Sequence, residues 1–286
     1  MTLRLKVHGR RKPADVRRHA YVREKCNKGV RVIEDLSKLL PFEMKFYQSP
    51  GRIIDELVKT LKANFGIFNE NSLELKKALF IFEIDEFEYS NININNDRYY
   101  FHYIKEILRL FHNYITSSVS FLEHCNDLMN DLFEKESEQR KIYQTKKDHF
   151  YNDELFCFVR VLRNYIVHKN CNIVGVVHNW DSTGYFKFIE LRTDEIKTWI
   201  DNALKKFKKK SIRKTYIKAG EYLENKRFKK IQLPTLIHEY GKYIVDLFLW
   251  VEDSIKRKYK KELEEYGELI NEFKKVNPKA TWMMLS

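Results

Sequence analysis

Apolar positions recur along most of this chain at steps of three and four, the period of helices. The clearest stretch is 152–170, NDELFCFVRVLRNYIVHKN. Leu155, Phe158, Val159, Leu162, Tyr165 and Ile166 share one face of a helix of about five turns. Arg160, Arg163, Asn164 and His168 spread over the opposite face. Arg160, Asn164 and His168 step by four and form a line, with Arg163 beside it. Phe156 and Val167 also fall on that outer side, where they would be awkward in water. Upstream, residues 98–134 keep the helical period from Tyr100 to Leu132, and Asp97 is placed to cap the start. These two helices predict an antiparallel pair. The charged segment 134–150 joins them as a helical extension or a loop.

The flanking pattern is more varied. Val30, Ile33, Leu36, Leu39 and Leu40 predict a short helix within 29–46. Pro50 opens a second, carried by Ile53, Ile54, Leu57, Val58 and Leu61 and expected to end near Asn64 to Gly66. Residues 72–90 fit a helix, or a strand over the alternating FIFEIDEFEY. Residues 172–191 read as a β-hairpin turning at Asp181 to Gly184. Thr193-Asp194 opens a helix through about Lys208. A basic helix or loop follows over 211–229, and Pro234 opens a last helix over 235–275. The expected class is mainly α, a helical bundle with a small inserted β-hairpin. The expected division is a basic arm and N-terminal helical region over 1–90, then a helical domain over 91–286.

Composition narrows the class. Glycine and proline are scarce, at 9 and 5 in 286 residues, which disfavours turn-rich all-β folds. Aromatic content of 14% and hydrophobic content of 43% disfavour wholesale disorder. Cys26, Cys125, Cys157 and Cys171 form no C-x-x-C pair, so a structural zinc site or disulfide framework is not expected, nor any metal or other cofactor. The basic N-terminus lacks an apolar core of signal-peptide type, and no run is long enough to span a bilayer, so a cytoplasmic, non-membrane protein is expected.

The net charge of +13 is unevenly placed. Residues 1–31 carry eleven Lys/Arg against Asp15 and Glu24, and 205–230 carry twelve against Glu221 and Glu224, which leaves the remainder mildly acidic. Two basic zones imply a polyanion, with nucleic acid preferred to membrane. Arg10, Arg11, Lys208, Lys209, Lys210, Arg213 and Lys214 are the candidate phosphate contacts, together with Arg160. The alternatives are a floppy basic tail and a merely solvated lysine run.

One motif carries chemistry. Arg163-Asn164-Tyr165-Ile166-Val167-His168 resembles the R-N-x-x-x-H signature of HEPN-domain proteins, many of which are metal-independent ribonucleases. The resemblance covers roughly 97–170, about a quarter of the chain. It implies a HEPN-like bundle that cleaves RNA in toxin-like or antiviral defence, as a homodimer, with a possible antitoxin or inhibitor protein. In HEPN toxins paired with a nucleotidyltransferase antitoxin, a tyrosine commonly lies two residues after the histidine. Asn170 holds that place here, which puts regulation by modification there in doubt.

The residue types suit the reaction. Cleavage without metal needs a base for the 2′-hydroxyl, an acid for the leaving 5′-oxygen and a fixed cation for the phosphate. Histidine, as a residue type that exchanges protons near neutrality, suits position 168, Arg163 offers a two-pronged cation that stays charged, and Asn164 can orient either partner. One His and one Arg make a thin site. A two-fold dimer joining these faces would cover Phe156 and Val167 and bring two sets together. Competing readings are a non-catalytic HEPN-like module that binds nucleic acid or a partner through its basic zones, and a structural helical protein with a chance motif.

Overall fold

The structure, a computed structural model, describes residues 45–84, 97–168, 173–181, 184–225 and 231–276. The basic arm and the apolar stretch 29–44 lie outside these residues. So do 85–96, which hold the last part of the helix-or-strand segment. What is described is mainly helical with a small three-stranded antiparallel sheet. The helices are α1 (Pro50–Ile84), α2 (Asp97–Leu132), α3 (Glu138–Asn152), α4 (Glu154–His168), α5 (Thr193–Lys206), α6 (Lys210–Asn225), α7 (Leu233–Lys258) and α8 (Lys260–Val276). The strands are β1 (Val174–Asp181), β2 (Gly184–Leu191) and β3 (Ile231–Gln232). Two compact units are formed, one by Met1–Thr60 with Glu252–Ser286 and the other by Leu61–Val251.

Several expectations take definite form. Residues 134–150 become α3, whose first turn is capped by the Ser137 hydroxyl accepting from the Arg140 amide at 3.3 Å. Within the basic stretch, α6 reaches Asn225, and 226–229 lie outside the described residues. The hairpin pairs Val174 with Leu191 through Asp181 with Gly184, and β3 adds to its β2 edge with Leu191 opposite Ile231. A two-residue strand leaves no periodic trace in sequence, so β3 was not foreseen.

Two boundaries move. The second helix does not stop at Asn64 to Gly66 but runs unbroken to Ile84. Gly66 has open space around it. A glycine inside a helix costs only about 1 kcal/mol relative to alanine. Beyond it Phe68, Leu75, Leu79 and Phe82 are buried, each worth about 1.5–3 kcal/mol, and that gain outweighs the glycine. The last helix, expected as one piece, is interrupted for a single residue at Tyr259 and continues as α8. No Pro or Gly marks that point.

The core of the Leu61–Val251 unit is aromatic. Phe65 stacks on Phe248 with centroids 3.9 Å apart, and Phe68 packs on Tyr114 at 5.3 Å. Burial pushes the Tyr114 phenol up, and its hydroxyl donates to the Ile237 carbonyl at 3.0 Å. The Tyr240 and Ser118 hydroxyls meet at 2.9 Å, which holds α7 against α2. In the other unit, Phe46 packs with Tyr266, Leu269 and Phe273. Gly51 lies against the backbone of Glu262 so closely that a Cβ would strike the Glu262 carbonyl oxygen and stand 2.6 Å from the Tyr266 Cβ.

Candidate functional site

Helix α4 begins where α3 ends. Asp153 closes α3 by donating its amide to the His149 carbonyl at 2.8 Å, and its carboxylate accepts from the Phe156 amide at 3.2 Å to cap α4. The first half of α4 is enclosed: Leu155, Phe156, Cys157, Phe158, Val159, Val161 and Leu162 are all buried. Phe156, placed on the outer face by periodicity, is only 3% exposed. Its ring lies 4.8 Å from both Phe150 and Tyr240, so α3 and α7 cover it within the chain. No second chain is therefore needed to bury Phe156, contrary to the expectation from periodicity. Val167, 55% exposed, does remain on the surface.

The motif residues occupy the second half. Arg163 is half-buried, and its Nε is buried with no hydrogen-bond partner among the described residues. The Asn164 side chain stands beside the Tyr216 hydroxyl of α6. Burial pushes the Tyr216 phenol up, and the nearby Asn164 works against it as the smaller effect. His168 is the last residue of α4, and its side chain is outside the description. Tyr165, buried on the same helix, meets Trp199 of α5 edge-on at 5.3 Å.

The second basic zone folds onto this helix. Phe158 stacks on Tyr222 at 4.9 Å along the first half of α4, and Asn164 stands beside Tyr216 along the second. The charge of Lys214 is felt at Cys157 of α4, after those of Arg160, Asp153 and Lys218; burial outweighs them all and pushes that thiol up to about 11. Lys208 and Lys209 lie in the link between α5 and α6, Lys210 opens α6, and these three and Lys214 are exposed. Arg213 is used differently. It donates to the Leu204 and Phe207 carbonyls and so closes the end of α5. Arg160 pairs with no acid among the described residues, and its guanidinium sits 5.0 Å from the centre of the Tyr151 ring. Arg10 and Arg11 lie outside the described residues.

A cavity of about 820 Å³ opens at the other end of α4. Its lining includes His149, His238, Lys218, Lys242, Tyr222 and Tyr243. Fourteen residues separate Glu154 from His168, so helical rise puts about 21 Å between the cavity and the motif's histidine. The sequence signal for this wall is His238, Lys242 and Asp246 at steps of four on α7. Much of the wall is already engaged: Glu154 accepts from Asn225 at 2.6 Å, Glu239 stands beside the Tyr222 hydroxyl, and Lys218 pairs with Glu221 at 2.5 Å. Among the described residues no three His, Cys, Asp or Glu side chains gather as a metal site would need, and no helix is long and apolar enough to cross a membrane.

No protein-family model, curated protein or solved structure matches the chain.

Proposed function

We propose that the chain is a metal-independent endoribonuclease of HEPN type, with Arg163 and His168 as its catalytic residues. The observation that carries this reading is Arg163. Its Nε is buried with no hydrogen-bond partner among the described residues, on a helix against which the basic helix α6 is packed. An unsatisfied buried donor on a permanent cation calls for an acceptor, and a phosphate diester provides two oxygens in the geometry of a guanidinium fork.

In this reading His168 takes the proton from the ribose 2′-hydroxyl. The 2′-oxygen attacks phosphorus, and the 5′-oxygen leaves carrying a proton from an acid. The product ends are a 2′,3′-cyclic phosphate and a 5′-hydroxyl. Arg163 holds the charge that builds on the phosphate oxygens. A single set per chain leaves one proton transfer without a group, and a two-fold pairing of chains through the Val167 face would supply the second set. Toxin-like or antiviral use, and a protein inhibitor, belong to the same proposal.

The test is digestion of total cellular RNA in EDTA by the wild type and by His168→Ala. Cutting by the wild type alone, with cyclic phosphate ends, is the expected result. Cutting by both would remove His168 from the mechanism. Binding without cutting by either would favour the non-catalytic module.

A further inference from the structure

The proposed site acquires a substrate feature from the side chains one turn before Arg163. Tyr151, near the end of α3, is 48% exposed although it is a large aromatic. The Arg160 guanidinium stands 5.0 Å from its ring centre and the Lys147 ammonium 5.8 Å. Lys147 uses one donor on the Asn126 side-chain oxygen at 2.6 Å and has others to give. The nearby acids have other partners. Asp148 accepts from Gln144 at 2.8 Å, Asp153 caps Phe156, and Glu154 accepts from Asn225. Arg160 is therefore an exposed cation with no carboxylate partner among the described residues, over an exposed ring.

We propose that Tyr151 and Arg160 form a base-stacking step for single-stranded RNA, on a track that runs along α4 to Arg163. The inference rests on the ribonuclease reading for its direction. Arg160 and Arg163 are three residues apart, about 4.5 Å in helical rise, so a nucleotide stacked at the first reaches the second with its phosphate. A base needs a π-face or a guanidinium plane, and the Tyr151–Arg160 pair presents both. Duplex RNA hides its base faces and cannot use the step, so the site selects unpaired strands.

The experiment uses full-length protein carrying His168→Ala, in EDTA, so that no strand is cut. Fluorescence anisotropy compares an oligouridylate with an abasic ribose-phosphate strand of the same length. Tyr151→Ala is expected to weaken oligouridylate binding about tenfold, as loss of one stacked base does, while the abasic strand is held as before. Tyr151→Phe keeps the ring and restores binding, which separates stacking from misfolding. Equal losses on both strands, or none on either, would overturn the proposal. The ribonuclease reading is judged apart from it. If the wild type fails to cut RNA while the Tyr151 dependence holds, that reading falls and the stacking step stands. If it cuts without the dependence, the reverse is true.

Discussion

The Asn164 side chain stands beside the Tyr216 hydroxyl, where the motif helix meets the basic helix α6. Tyr216 is buried and Asn164 exposed, so the pair sits at the rim of the α4–α6 contact. Asn164→Ala and Tyr216→Phe should each lower stability by up to about 1 kcal/mol. The double variant should cost less than the sum, since both remove the same polar contact. Denaturant titration of the four proteins gives the coupling. Strict additivity would mean the contact contributes nothing.

Arg163→Lys keeps the charge but removes Nε and the fork. RNA cleavage should fall at least about tenfold, while the melting temperature stays the same or rises because a buried unsatisfied donor is gone. Full activity in the lysine variant would show that a point charge suffices.

The aromatic nest around Phe156 is a folding element. Phe156→Ala should cost about 3–5 kcal/mol, the range for a fully buried phenylalanine. Val167→Ala, at an exposed position of the same helix, should stay within about 0.5 kcal/mol for the isolated chain. If the chains pair through the Val167 face, Val167→Glu should lower the mass seen by light scattering and lower cleavage with it.

Alkaline pH should expose two buried acids. Burial holds the Cys157 thiol up from 9.0 to about 11 and the Tyr240 phenol from 10.0 to about 12. The folded chain keeps these protons over a range in which the unfolded chain has lost them. The stability they contribute is whole below pH 9 and is lost as pH rises through 11 and then 12. Unfolding midpoints across this range should fall less steeply for Cys157→Ala between pH 9 and 11.

Gly51→Ala should destabilise the unit in which it lies by about 1–3 kcal/mol, because the new methyl would meet the Glu262 backbone and not a side chain that can swing aside. Hydrogen exchange in Lys260–Val276 would report the loosening, and unchanged protection there would contradict the close approach.

How far the sequence disclosed this structure depends on where packing is periodic. α2 and the hairpin were legible because their apolar positions keep one period with clear stops. α1 was cut short because Asn64 and Gly66 look like a stop and FIFEIDEFEY alternates as strands do. Yet Leu61, Phe65, Phe68, Ser72, Leu75, Leu79 and Phe82 step by four and three in turn, a seven-residue repeat that passes straight through the glycine. Phe156 was misplaced for another reason. Periodicity assigns one inner face, whereas the first half of α4 is covered on several sides by α3, α6 and α7. The stacking of Phe158 on Tyr222 joins positions 64 apart and leaves no local trace.

The seven-residue repeat of α1 also sets what length changes the gene can tolerate. One residue added beside Gly66 would swing Phe68, Leu75 and Phe82 about 100° out of the interior together. A codon exchanged there changes one side chain that faces open space, but a codon inserted there unseats the whole spine downstream.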